Sequence, residues 1–277
     1  MTQTPHDQLA KQYLEEFLAP FGVVQRQYEV PGETKFVDVW FVPRQTELLT
    51  ADLGLLGQMV QKPCLFEPYR NVPSRTEVRV SVMKLVWVQE DERRQAQKDE
   101  LSEDELPLLW ILAAKTSKPL LQDANVMTKP GWIAGVYFTA NLFKTAIVAI
   151  DQLPESEDTL WLRVLGQGKT QERAIREVLA LPASHPRRNT ILRLLASWRV
   201  RIDLGELTDF NDQEELMALS EAFLTWEKEK EAQGEQKERQ TIALNMLRKS
   251  MPLETIAEVT GLTIEQLQLL QTQAEQN

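Results

Sequence analysis

The chain opens with apolar positions at helical spacing. Between His6 and Leu18 they are Leu9, Tyr13, Leu14, Phe17 and Leu18, so each has another of the set three or four residues away. This spacing predicts a helix that buries one face. Pro20 and Gly22 follow it and predict its end.

The next two segments are rich in β-branched and aromatic residues. They run from Val23 to Val30 and from Lys35 to Pro43, with Pro31-Gly32-Glu33 as a turn signal between them. The pattern predicts two strands joined as a hairpin.

The pattern is mixed from residue 46 to residue 154. A helix is predicted over 46–61, a loop over 66–73, and either a helix or a strand over 76–90.

Residues 89–105 are almost devoid of apolar side chains, which is typical of an exposed helix end and a solvated linker. The apolar run 108–114 predicts a buried strand, and 131–139 and 143–153 predict two more. Together these elements predict an α/β (α+β) domain over residues 1–154.

The rest of the chain has helical patterns. Helices are predicted over 171–181, 190–201 and 212–230, which gives a helical region over 155–230. Residues 231–277 are expected to hold the end of a polar linker helix and a helical tail with a break at Pro252 and a turn at Gly261. Thr263 and Gln266 are placed as in a capping box, so the tail is similar to a helix-turn-helix.

The net charge of −10 is unevenly distributed. Residues 161–199 hold 8 Lys or Arg against 2 Asp or Glu, whereas residues 200–277 carry a net charge of −9. The cationic segment favours an anionic polymer such as DNA, or else simply has arginines on solvated helix faces. Candidate phosphate contacts are Arg163, Lys169, Arg173, Arg176, Arg187 and Arg188.

The acidic tail has a different expected partner. From Thr263 to Asn277 it has no Lys or Arg, so its last helix is expected to contact protein rather than DNA. One such contact would be self-association of the chain, as a homo-oligomer, through the apolar residues of the C-terminal helices.

Several classes of protein are excluded by composition. The apolar runs are too short to span a bilayer, and no signal peptide is visible at the N-terminus. With one cysteine and two histidines, an intrachain disulfide and a multi-cysteine zinc site are excluded. We therefore expect a cytoplasmic protein without membrane contact.

Asp38 is the most suggestive acid, because it lies between hydrophobic residues of a predicted strand. Such an acid is costly unless it is exposed, paired or holding a cation. Glu15 or Glu16, at the end of the first predicted helix, is a candidate partner, and two carboxylates would hold Mg²⁺ for phosphodiester hydrolysis. Lys115 follows the buried run 108–114, where its ammonium would stabilise developing charge. The alternative for all four side chains is a place on a solvated face.

The opening residues 6–11, the acid in Val37-Asp38-Val39 and the ending 253–267 together resemble a bacterial group. These are the Rpn-type recombination-promoting nucleases or putative transposases, in the PD-(D/E)XK nuclease superfamily. The resemblance implies an α-β-β-β-α-β core, dependence on Mg²⁺ and cleavage of DNA. It assigns Asp38 to the second motif and Glu15 or Glu16 to the first.

The third motif of this superfamily is an acid or Gln, one residue, then Lys on a buried strand. The chain has Ala113-Ala114-Lys115 there, so the lysine fits and the acid is absent. Two expectations follow. Either another acid substitutes and the chain is a Mg²⁺-dependent DNA endonuclease linked to recombination or mobile DNA, or it is an inactive nuclease-like protein that acts as a DNA-binding or protein-interaction module.

Overall fold

The first helix and the hairpin follow the predicted pattern. The structure is a computed structural model that describes residues 5–29, 36–44, 53–96, 101–203, 213–249 and 251–275. In it, helix α1 spans Pro5–Leu18, and strands β1 (Gly22–Glu29) and β2 (Phe36–Pro43) pair antiparallel. All five apolar positions that predicted α1 are buried. The predicted turn 31–33 lies outside the described residues.

A strand replaces the predicted loop. After the short helix α2 (Leu55–Met59), strand β3 spans Cys64–Tyr69, so the loop predicted over 66–73 is wrong for its first part. Pro68 made the segment look irregular. However, β3 pairs antiparallel with β2 only as far as Phe66, so the missing N–H of Pro68 removes no bond from that ladder.

The ambiguous segment over 76–90 is helical. Helix α3 spans Arg75–Gln95 and begins at a capping box, in which Ser74 and Glu77 each accept a hydrogen bond from the backbone N–H of the other. This cap satisfies two N–H groups of the first turn and settles the choice in favour of a helix.

The described residues form one mixed sheet of six strands. Strand β4 (Leu108–Ala113) is followed by helix α4 (Lys118–Asp123), then by the strands β5 (Val136–Phe138) and β6 (Thr145–Ala149). The order across the sheet is β1-β2-β3-β4-β6-β5, with β4 parallel to both β3 and β6 and the other pairs antiparallel. Both strands predicted after 114 form, though shorter, and the α+β class is confirmed.

One part of the core lies against the middle of the sheet. It joins residues of α3 to residues of four strands: Leu85 and Val88 on the helix, and Trp40, Leu65, Leu109, Ile111 and Ile147 on the strands. Burial of this face holds α3 against β2, β3 and β4, and so fixes where polar side chains on these elements can meet.

Helices make up the remainder of the chain. They are α5 (Leu160–Arg163), α6 (Lys169–Ala180), α7 (Arg188–Asp203), α8 (Gln213–Arg248), α9 (Leu253–Thr260) and α10 (Ile264–Glu275). The chain divides into two compact units, 1–223 and 224–277, with the division inside α8. The first unit includes the predicted domain 1–154 and most of the predicted helical region 155–230.

The second unit has a small core of its own, formed by Ala243, Ile256, Leu262 and Leu267. Gly261 closes α9 with φ 70°, a left-handed conformation that favours glycine. Thr263 and Gln266 exchange hydrogen bonds, so the predicted capping box is confirmed. Among the described residues, no helix is both long and apolar enough to cross a membrane.

Gly22 provides a test of the hairpin that carries Asp38. A Cβ at this position would overlap the carbonyl oxygen of Val42 and the ring of Phe41. We therefore expect Gly22→Ala to lower the free energy of unfolding by about 1–3 kcal/mol, measured by urea denaturation. The control Val23→Thr changes the exposed neighbouring side chain and should stay within about 0.5 kcal/mol of the wild type. Equal effects of the two substitutions would contradict the close approach of β1 and β2.

Candidate active site

Asp38 is paired with a lysine from the first helix. The Lys11 ammonium on α1 lies 2.6 Å from Asp38 Oδ1 on β2, and the two side chains are 7% and 19% exposed. A lysine is seldom buried to this degree unless it is paired. The ion pair therefore accounts for an acid placed among hydrophobic residues.

A second acid lies on the neighbouring strand. Glu67 on β3 is 2% exposed, and the Lys84 ammonium on α3 donates to both of its carboxylate oxygens, at 2.9 and 2.8 Å. The backbone N–H of Asp38 also donates to Glu67 Oε1, at 3.4 Å. Lys11, Asp38, Glu67 and Lys84 thus form one group, which we name the acid–lysine cluster.

Burial shapes the protonation of this cluster. The pKa of Glu67 is raised to about 7, because desolvation and, after it, the carboxylate of Asp38 raise the pKa more than the ion pair with Lys84 lowers it. A carboxyl group that titrates near neutral pH in the interior is a frequent property of functional sites.

Tyr69, two residues after Glu67 on β3, is also largely buried and is affected by the charge of Glu67. Its hydroxyl lies 2.8 Å from Ser81 Oγ, and Ser81 donates its single hydroxyl hydrogen to the carbonyl of Glu77. Tyr69 is therefore the donor to Ser81. Burial, followed by the nearby charge of Glu67, raises the pKa of Tyr69, so it remains a neutral phenol.

The donor set of the cluster fits a magnesium ion. Among the residues that the structure describes, no three His, Cys, Asp or Glu side chains come together as a metal site. Mg²⁺, however, is commonly held by one or two carboxylates, with waters and substrate phosphate oxygens completing its octahedron. Asp38 and Glu67 supply two carboxylates, and ammonium groups already lie beside their oxygens.

The other two acids of the predicted site are paired with arginines. Glu15 pairs with Arg26 of β1 at 2.9 Å, and Glu16 pairs with Arg193 of α7. Neither side chain forms a three-acid group with Asp38 in the described part of the chain.

Lys115 and Ala113 lie at the end of β4. Ala113 is buried in the sheet and Lys115 is exposed just beyond it. The lysine that contacts a buried strand acid is Lys84 instead.

Two of the arginines that were predicted to contact phosphate are buried. Arg163 is fully buried, donates to both carboxylate oxygens of Glu177 at 2.7 and 2.6 Å, and also donates to Thr159 and to the carbonyl of Ser156. Arg188 is also buried and donates to the carbonyl of Leu179. Both guanidinium groups serve packing in the helical region.

The other four cations lie nearer the surface. Arg173 pairs with Glu155, and Arg176 pairs with Glu172 and Glu221. Arg187 lies over the rings of Phe17 and Phe21, 5.3 and 5.2 Å from their centroids. Lys169 is exposed in the first turn of α6.

Sequence reasoning missed both Glu67 and Lys84. Each is a charged residue among apolar ones, Glu67 after Leu65-Phe66 and Lys84 between Met83 and Leu85. The same signal singled out Asp38. It was overlooked at Glu67 because Pro68 and Pro73 made the segment resemble a loop, and at Lys84 because the secondary structure of 76–90 was undecided.

The Glu67–Lys84 pair gives a prediction for stability. Lys84→Met leaves a buried carboxylate without its cation and should lower the free energy of unfolding at pH 8 by about 3 kcal/mol. Glu67→Gln combined with Lys84→Met removes both charges and should recover most of this loss. Urea denaturation of the wild type, both single variants and the double variant forms the cycle. Additive effects of the two substitutions would contradict a buried pair.

The pH dependence of stability gives a second prediction. Between the ordinary pKa of Glu67, 4.5, and its folded pKa of about 7, the folded protein binds a proton that the unfolded chain has lost. Raising the pH through this window therefore lowers the contribution of Glu67 to the free energy of unfolding. The wild type should lose stability relative to the Glu67→Gln/Lys84→Met variant from about pH 5 to about pH 8. A constant difference between the two would contradict the raised pKa.

Comparisons with known proteins add no information about this site. No protein-family model, no curated protein and no solved structure matches the chain.

Proposed function

We propose that the chain is a Mg²⁺-dependent DNA endonuclease of the PD-(D/E)XK type, in which Asp38 and Glu67 hold the metal. The observation that carries this proposal is the direct link between the two acids, the N–H of Asp38 donating to Glu67 across neighbouring strands. The succession α1, β1, β2, β3, α3, β4 also has the order that the resemblance implies, apart from the short α2. In this proposal Glu67 on β3 supplies the carboxylate that is missing at Ala113.

The chemistry divides among three side chains. A divalent ion at Asp38 and Glu67 would polarise the phosphoryl group and lower the pKa of a bound water. Lys84 orients Glu67 by bonding both of its oxygens, and its ammonium would stabilise negative charge that develops on the phosphate. Lys84 thus takes the role that the sequence pattern suggested for Lys115.

Cations near the end of α1 support a polyanionic substrate. Arg26 and Arg193 pair with the α1 acids Glu15 and Glu16, and Arg187 lies over Phe17 of the same helix. Glu15 is four residues after Lys11, which is about one helical turn. A phosphate backbone near Asp38 would meet these guanidinium groups and exchange with their carboxylate partners. The link to recombination or mobile DNA follows from the resemblance alone.

A non-catalytic role is the second candidate, and two observations favour it. Both acids of the cluster are already neutralised by lysines, so charge is balanced without a metal. In addition, Val259, Ile264 and Leu269 of the second unit are exposed apolar side chains. A nuclease-like protein that binds DNA or protein without cleaving DNA, and self-associates through its C-terminal helices, would use these features.

Plasmid cleavage tests the leading proposal. Asp38→Asn and Glu67→Gln should each reduce Mg²⁺- or Mn²⁺-dependent nicking of supercoiled DNA by more than about a hundredfold, since even outer-shell partners of metal ligands are worth 10–100-fold. The surface control Asp123→Asn should stay within about threefold of the wild type, because Asp123 belongs neither to the proposed metal pair nor to the proposed DNA contacts.

Three results would contradict this function. They are no cleavage by the wild type in either metal, cleavage that survives EDTA, or equal cleavage by the wild type and Glu67→Gln. A wild type that binds DNA without cleaving it, and whose oligomer dissociates on Leu269→Glu in light scattering, would favour the non-catalytic candidate instead.

A further inference from the structure

Lys11 contacts Asp38, one of the two proposed metal ligands, but has no role in the proposed chemistry. Its ammonium lies 2.6 Å from Asp38 Oδ1, a separation at which it occupies one side of the carboxylate. The cation that would bind Asp38 in an active nuclease needs an oxygen of the same group. Lys11 therefore competes with that ion for Asp38.

The two ion pairs of the cluster differ in geometry and in exposure to solvent. Lys84 bonds both oxygens of Glu67, and that pair is 8% and 2% exposed. Lys11 meets Asp38 through Oδ1, and Asp38 is the most exposed member of the cluster. An ion that arrives from solvent thus reaches the Lys11–Asp38 pair before the Glu67–Lys84 pair.

Helix α1 restricts which atoms can move in such an exchange. Leu9, Ala10, Tyr13 and Leu14 around Lys11 are buried, and the Tyr13 hydroxyl donates to the carbonyl of Trp161 at 2.6 Å. The helix backbone is therefore anchored. The departure of the Lys11 ammonium from Asp38 would therefore take place by rotation about the bonds of its four-carbon stem.

We propose that metal loading at this site is an exchange, in which the Lys11 ammonium holds Asp38 in the metal-free protein and leaves it when a divalent ion binds. This inference rests on the proposed function. Lys11 is then a positioning residue that sets the cation concentration at which the site loads. It also keeps Asp38 neutralised in the metal-free fold, so the same contact stabilises the protein and weakens its metal affinity.

Titration calorimetry with Mn²⁺ tests the exchange without DNA. Lys11→Met removes the competing cation and should tighten Mn²⁺ binding by about tenfold or more, since like charges a few ångströms apart repel strongly in a poorly solvated site. The control Lys118→Met removes an exposed lysine in the first turn of α4 and should bind as the wild type does. Asp38→Asn should abolish binding in both the wild-type and the Lys11→Met backgrounds.

A second measurement uses the unaltered protein, so it does not depend on how Lys11→Met folds. Lysine acetylation is followed by mass spectrometry with and without saturating Mn²⁺. Lys11 should become at least about fivefold more reactive when the metal is bound, because its ammonium loses the Asp38 pair and gains access to solvent. Lys118 serves as the reference and should not change.

The outcomes separate this inference from the proposed function. Mn²⁺ binding by the wild type with equal or weaker binding by Lys11→Met, or with constant Lys11 reactivity, overturns the exchange and leaves the nuclease proposal intact. No Mn²⁺ binding by either protein overturns both. Tighter binding by Lys11→Met that Asp38→Asn abolishes, together with increased Lys11 reactivity in the wild type, supports the exchange.

Discussion

The sheet of the first unit depends on the pairing of two carboxylates, on adjacent strands, with two lysine ammonium groups. Asp38 and Glu67 lie where β2 and β3 meet, and each receives an ammonium from a different helix, Lys11 from α1 and Lys84 from α3. The packing of both helices is therefore tied to the charge balance of the sheet. Such pairs are weak sources of net stability, and the loss of one partner is costly. A charge arrangement of this kind is easier to explain by function than by packing.

The remaining charges of the first unit follow a similar pattern. Arg163, near the start of the segment with the strongest cationic bias, donates its hydrogen bonds to Glu177 and to backbone acceptors in the interior. Surface arginines around α1 are paired with Glu15 and Glu16. Charge counts along the sequence thus overstate the cationic surface, because an arginine that serves packing looks the same in a sequence as one that faces solvent.

Local patterns predicted two of the four elements that carry the site. Helical spacing predicted α1, β-branched and aromatic content predicted the hairpin, and one acid in an apolar strand identified Asp38. The second acid, Glu67, carries the same signal, but Pro68 obscures it, and its strand forms through pairing with β2 and β4. The position of Lys84 depended on whether 76–90 is a helix. The capping-box residues Ser74 and Glu77 are the sequence signal that indicates this helix. Pairing with strands that are distant in sequence therefore determined the structure of a segment whose local propensity was ambiguous.

The proposed nuclease requires Asp38 and Glu67 to bind one divalent ion together. The most direct test is anomalous diffraction from crystals grown with Mn²⁺. We expect a single strong peak within about 2.2 Å of an oxygen from each carboxylate, with Lys11 turned away from Asp38. A map without a peak at this position under saturating Mn²⁺, and with both lysines still paired to their acids, would contradict this shared metal site.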